Sequence, residues 1–209
     1  MGPSGDVAAA ERRELSALLE QVGPDASTLC AGWTARDLAA HLVIRERRPD
    51  AAPGLLVSAL SGWTARVQRG ATRRQWEDLV ALVRDGPPSW SPLGMFDAAN
   101  AVEFFVHHED VRRGREDATP RQQDPGRDAV LWDVLGSAAR LSYRNSPVGV
   151  VLRREDGREQ VARTGPRTVT LVGEPGELLL HAYGRDAVTL QFTGEPTDIA
   201  TVQGSPRGI

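Results

Sequence analysis

The chain contains no lysine, so all 25 of its basic residues are arginine. Against 28 acidic residues this leaves a net charge of −3, and no basic surplus points to nucleic acid as a partner. A single cysteine, Cys30, excludes an internal disulfide and suits a reducing cytoplasm. No apolar run approaches the ~20 residues that span a bilayer. The N-terminal residues lack the charged-then-apolar order of a signal peptide. The expectation is therefore a cytoplasmic protein with neither a membrane nor a nucleic-acid partner. Also missing are a glycine-rich phosphate loop, a nucleophile elbow, a Cys-x-x-Cys pair and a His-Glu-x-x-His motif. What remains is an ordinary globular composition, 40% hydrophobic and 25% charged over 209 residues, long enough to bury a real core.

Apolar residues recur at helical spacing from Asp6 to Val22 (Ala8, Leu15, Leu18, Leu19, Val22), after a disordered stretch over residues 1–5. Gly23-Pro24 stops this helix, and a loop from Asp25 to Trp33 carries Cys30. Cys30 reads either as a reactive thiol or soft metal ligand, or as a small buried loop residue. Thr34 and Asp37 form the start signal of a second helix, which runs through Leu38, His41, Leu42 and Val43 until Pro49 ends it. Residues 49–54 read as a loop. Two further helical patterns cover Leu55 to Val67 and Thr72 to Val83, the latter capped by Thr72, with Trp63 and Trp76 as core or interface anchors. Gly86 to Pro92 is a connector. Helices then cover Asp97 to Arg113, stopped by Gly114, and Asp124 to Asn145, with Val130, Leu131, Val134, Leu135, Ala138 and Leu141 inward.

After Ser146-Pro147 the period changes to two and β-branched residues dominate. Strands are expected at Val148 to Arg153, Gln160 to Arg163, Thr168 to Val172 and Val188 to Phe192, with a hairpin turn at Asp156-Gly157. Helices are expected at Pro175 to Tyr183 and Pro196 to Val202. The fold class is α+β: a helical domain over residues 6–145, then a small α/β domain over 147–204.

The chain has four histidines: His41, His107, His108 and His181. Glu103 and His107 are four residues apart on one helix and project about 40° from each other. Carboxylate and imidazole are both ordinary ligands for zinc and similar divalent metals. Two ligands on one helix hold an ion loosely, and His41, on an apolar face of another helix, is the expected third. His108 points about 140° away from Glu103, so His107 is taken as the ligand. Asp37, one turn before His41, could accept a hydrogen bond from that ring's second nitrogen, as metal-bound histidines usually require. Glu109 and Asp110 read as solvent-facing or as supports behind the ligands. His181 reads as partly exposed. Arg185 either faces a pocket as a substrate-binding anion site or is simply an exposed arginine after a helix stop. A His, Glu, His set leaves a coordination position free for water or substrate, the pattern of a reactive rather than a structural zinc site. The alternative is a non-catalytic module in which the ion senses or stabilises, and a fourth protein ligand would mark it.

The segment Cys30-Ala31-Gly32-Trp33-Thr34-Ala35-Arg36-Asp37-Leu38-Ala39-Ala40-His41-Leu42 resembles the LC-x-GWT-x-x-DL-x-x-HL signature of the mycothiol-dependent maleylpyruvate isomerase family. Glu103 to Asp110 is similar to that family's second metal-binding segment, and Gly176 to Arg185, with Val188 to Phe192 and Gly194-Glu195-Pro196, is similar to its small C-terminal domain. The stretches Arg45 to Gly54 and Val102 to Gly114 resemble an actinobacterial subgroup described only as metal-binding proteins. The resemblance implies an N-terminal DinB-like up-down four-helix bundle, a sterol-carrier-like C-terminal domain, and zinc on His41, Glu103 and His107. It further implies mycothiol, a small-molecule thiol, presented as a thiolate that adds to an electrophilic double bond, permits rotation and leaves. The implied activity is that of a thiol transferase or a cis–trans isomerase. DinB-like bundles often pair, so a homodimer is open.

Overall fold

The structure is a computed structural model in which residues 2–48, 50, 61–91, 95–115 and 119–208 are described. Six helices come first: α1 (Pro3–Val22), α2 (Ala35–Arg47), α3 (Ser61–Ala71), α4 (Trp76–Asp85), α5 (Asp97–Arg113) and α6 (Pro125–Ser142). Then follow β1 (Gly149–Arg153), β2 (Glu159–Arg163), β3 (Thr168–Val172), α7 (Pro175–Ala182), β4 (Gln191–Thr193) and α8 (Pro196–Gly204). The expected α+β class is observed. The chain divides into two compact units, Met1–Asp117 and Ala118–Ile209.

In the first unit α1 packs on α5 and α4, and α2 packs on α4 and α3. The core between them holds Leu15, Leu19, Leu38, Leu42, Leu79, Val83, Phe104 and Val111, all fully buried. Each large apolar side chain so placed contributes roughly 1.5–3 kcal/mol of transfer free energy. Pro3 sits in the first turn of α1, where its fixed φ suits the helix and its missing N–H costs nothing. That is why the helix starts three residues earlier than the apolar pattern suggests. α2 begins in a capping box: the Asp37 amide donates to Thr34 Oγ1 (3.4 Å) while the Thr34 amide donates to Asp37 Oδ2 (3.0 Å).

α4 does not start at Thr72. Its first residue is Trp76, and the Thr72 hydroxyl donates backwards to the Arg69 carbonyl. Of the helix expected over residues 55–67, positions 55–60 lie outside the described residues, as do most of the loop at 49–54 and Pro92 of the connector. Gly114 ends α5, but not by the left-handed route: its φ is −63°. Its glycine character serves close approach instead. A Cβ there would fall 2.4 Å from the Ser27 carbonyl oxygen, so the α1–α2 loop lies directly on the end of α5. The Leu29 amide donates to the Asp110 carbonyl (3.0 Å), pinning the same loop one turn earlier.

The second unit is a four-stranded sheet of order β2-β1-β3-β4, with β1 and β3 parallel and both outer pairings antiparallel. Gly157, at φ 86°, makes the hairpin turn expected at Asp156-Gly157. α6 packs on α7 and β2, and α8 on β3. The sequence reading placed α6 with the helical bundle and the change of domain at residues 145–147. In the structure α6 belongs to the sheet-bearing unit, because Val130, Leu131, Leu135 and Ala138 are buried in the company of α7. Ser142 Oγ donates to the Ala182 carbonyl at the far end of that contact (2.5 Å). Leu141, expected inward, is 45% exposed. β4 is only three residues long: the Thr189 amide donates to Glu177 Oε2 (2.7 Å), so the start of the expected strand is tied to a helix rather than to the ladder.

Candidate metal centre

α2 and α5 bring His41, Glu103 and His107 to one point. His41 Nε2 lies 3.2 Å from Glu103 Oε1, and His107 Nε2 lies 3.4 Å from the same oxygen. The two imidazole rings meet edge to face with centroids 5.2 Å apart. One ligand atom from each of the three residues lies within 4.8 Å of the other two. Zinc bonds to nitrogen and carboxylate oxygen are ~2.0–2.1 Å, so neighbouring corners of its tetrahedron are ~3.3 Å apart. The observed nitrogen–oxygen separations fit that edge, and the donor types fit zinc.

The surroundings supply positioning and charge. His107 Nδ1 lies 3.0 Å from Asp110 Oδ2, and Cys30 Sγ donates to the same oxygen at 3.2 Å. Asp110 is fully buried. Trp33 covers His41 with its ring 5.3 Å away, and Arg45 Nε lies 3.4 Å from Glu103 Oε1 while its Nη1 donates to Asn100 Oδ1 (2.9 Å). Burial pushes the Glu103 carboxyl up, but hydrogen bonds from His107 and His41 and the charges of His107 and Arg45 outweigh it and hold it well below the usual range. Burial pushes His107 down, and the contacts with Asp110, Cys30 and Glu103 reverse this and hold it well above an ordinary histidine. A divalent cation bound here would take the place of the proton that draws the imidazole and the carboxylate together.

The supporting residues differ in part from the sequence expectation. Asp110 takes the second nitrogen of His107, as one reading of it allowed. Asp37 does not serve His41: its Oδ2 accepts from both the amide and the hydroxyl of Thr34 (3.0 and 2.8 Å), because a third-position residue turns back toward its own cap. His41 Nδ1 is buried with no hydrogen-bond partner among the described residues. Glu109 is not solvent-facing. It is 1% exposed and receives Arg113 Nε (2.5 Å) and Arg112 Nη2 (2.7 Å). His108, on the opposite side of α5 as expected, is also buried and lies 3.1 Å from Glu11 Oε2. Glu11 shares the helical stripe of Ala8, Leu15 and Leu19, so its burial was readable from spacing.

In the second unit His181 is 2% exposed rather than partly open. Its Nδ1 meets the Tyr143 hydroxyl at 2.5 Å, and burial with the nearby Arg207 charge lowers its pKa to about 3. Arg185 donates to the Tyr183 carbonyl (2.6 Å).

Residues 8–48 match the profile of the mycothiol maleylpyruvate isomerase N-terminal domain. The crystal structure of the mycothiol-dependent maleylpyruvate isomerase superposes with a TM-score of 0.66 at 15% identity, covering 93% of this chain and 95% of that one. The chain has the maleylpyruvate isomerase fold. A second crystal structure, of a histidine-to-alanine mutant of that isomerase, superposes with the same TM-score at 14% identity and the same coverage. No curated protein matches the sequence. The profile match and the fold together support the mycothiol maleylpyruvate isomerase family. The matched segment contains Cys30, Trp33 and His41, that is, the α2 half of the candidate centre. Among the described residues no helix is long and apolar enough to cross a membrane.

Proposed function

We propose that this chain is a zinc-dependent enzyme that uses mycothiol, as a transferase or isomerase acting on a small electrophile in the cytoplasm. The observation that carries the reading is the convergence of His41, Glu103 and His107, from two helices, with separations that match a zinc tetrahedron. The family profile over residues 8–48 and the isomerase fold support the choice of thiol.

A zinc ion held by these three side chains would supply Lewis acidity, keeping a thiol deprotonated at neutral pH without redox chemistry. The chain's own residues divide the remaining work. Asp110 fixes the His107 ring through Nδ1, leaving Nε2 turned toward His41 and Glu103. Arg45, held by Asn100, keeps Glu103 ionised and in place. Trp33 packs its ring against that of His41, with centroids 5.3 Å apart. Among the described residues the group holds three donors, which supports an open position for substrate over a closed, non-catalytic module.

Elemental analysis of the purified protein, with calorimetric titration of mycothiol, tests this. The expected result is one zinc per chain, thiol binding that needs the metal, and loss of both in His41→Ala. Stoichiometric zinc in that variant, or equal mycothiol affinity with and without metal, would overturn it.

A further inference from the structure

α2 presents a second chemically distinct face. Arg47 and Val43 lie about 120° and 160° around the helix axis from His41. Together with α3 and α4 they line a cleft of about 500 Å³, within the usual range for small-ligand pockets, about 300–1,000 Å³. Its apolar side is formed by Val43, Ile44, Leu82 and the ring of Trp63, which is 47% exposed. Its polar side is formed by Arg47, Arg48, Arg66 and Arg74, and no carboxylate is among the described lining residues.

In a chain whose net charge is −3, four arginines on one cleft are a local reversal of sign. Among the described residues only Arg48 is matched, by Asp50 at 2.7 Å. Arg47 Nη2 donates to the Gly86 carbonyl (2.6 Å), yet its Nε is buried without a hydrogen-bond partner among the described residues. Arg66 and Arg74 are exposed and pair with no acid among the described residues. A buried guanidinium N–H without an acceptor is unfavourable until one arrives. Guanidinium forks match carboxylates in geometry as well as charge.

We propose that this cleft is a second binding site, separate from the His41 centre, for an organic anion with an apolar body. The ligand class is an aryl or short-chain acyl carboxylate. Its charged end sits among Arg47, Arg66 and Arg74, and its body lies on Trp63, Val43 and Ile44.

The test uses the full chain and 8-anilinonaphthalene-1-sulfonate as a fluorescent anionic probe, displaced by octanoate or by octanol. Arg66 and Arg74 are exposed, so the double variant R66A/R74A should keep the fold by circular dichroism. It is expected to bind the probe at least about tenfold more weakly, which corresponds to ~1.4 kcal/mol. Octanoate should displace the probe from the native chain, and octanol should not. His41→Ala should bind the probe as the native chain does, which separates this site from the metal centre. Unchanged affinity in the double variant, equal displacement by octanol, or loss of probe binding in His41→Ala would each overturn the proposal.

Discussion

Asp110 Oδ2 stands 3.0 Å from His107 Nδ1 and receives Cys30 Sγ at 3.2 Å, so one buried oxygen ties the α1–α2 loop to the far side of a candidate ligand. Partners of this kind fix ring orientation and raise ligand basicity, and losing one typically costs 10–100-fold in metal affinity. Asp110→Asn keeps the shape and removes the charge. It is expected to weaken zinc binding by about that factor, read by competition with a chelator of known affinity. Native affinity in the variant would reduce Asp110 to a packing residue.

Glu109 and Arg113 form an ion pair whose side chains are both 1% exposed, with Arg112 joining from the next turn. Removing one partner of a buried pair strands the other charge, at a cost of roughly 3–5 kcal/mol. Glu109→Ala is therefore expected to lose several kcal/mol in urea denaturation while leaving His41, Glu103 and His107 in place. A change below about 0.5 kcal/mol, the size usual for surface sites, would contradict the buried-pair reading.

Gly114 is required by the backbone of another segment. An added Cβ would sit 2.4 Å from the Ser27 carbonyl and 2.5 Å from the Thr28 Cα, neither of which is the end of a flexible side chain. Gly114→Ala is expected to push the loop off α5 and to cost roughly 1–3 kcal/mol, as overpacking does. Thermal unfolding reads the loss. Because the same loop carries Cys30, an alkylation assay should show its thiol reacting faster in the variant.

His181 makes the second unit sensitive to acid. Its folded pKa, about 3, is below the ordinary value of 6.5, because burial and then the Arg207 charge disfavour the imidazolium. The unfolded chain therefore binds a proton that the folded chain refuses. Stability from this residue is intact above pH 6.5 and falls as pH drops from there toward 3, by a few kcal/mol in total at ~1.4 kcal/mol per unit. His181→Gln cannot take up that proton. Between pH 6.5 and 4 its stability, from denaturant midpoints, should change less steeply than the native chain's. Parallel slopes would rule His181 out as the cause.

Much of this was legible locally. The Thr34–Asp37 cap, the Glu103/His107 spacing and the Asp156-Gly157 turn each depend on neighbours within a few residues, and each appears as the spacing predicts. The failures have more than one cause. α6 has an apolar stripe that would suit a bundle or a sheet equally well, and only its packing on α7 and β2 decides between them. His181 looks like a surface residue until Tyr143 is placed beside it, whereas Glu109 meets Arg113 one turn along its own helix, a pair that spacing allows. Asp37 was close enough to His41 in sequence, but its oxygen was already taken by its own helix cap.

The sequence by itself determined the order and type of the helices and strands and that Glu103 and His107 share a face, because periodicity and capping are short-range. Only the tertiary structure decided that His41 reaches them and that the Cys30 loop closes on Asp110. His41 and Glu103 are 62 positions apart and Cys30 and Asp110 are 80 apart, and the packing of α2 and the α1–α2 loop against α5, not any local preference, sets such distances.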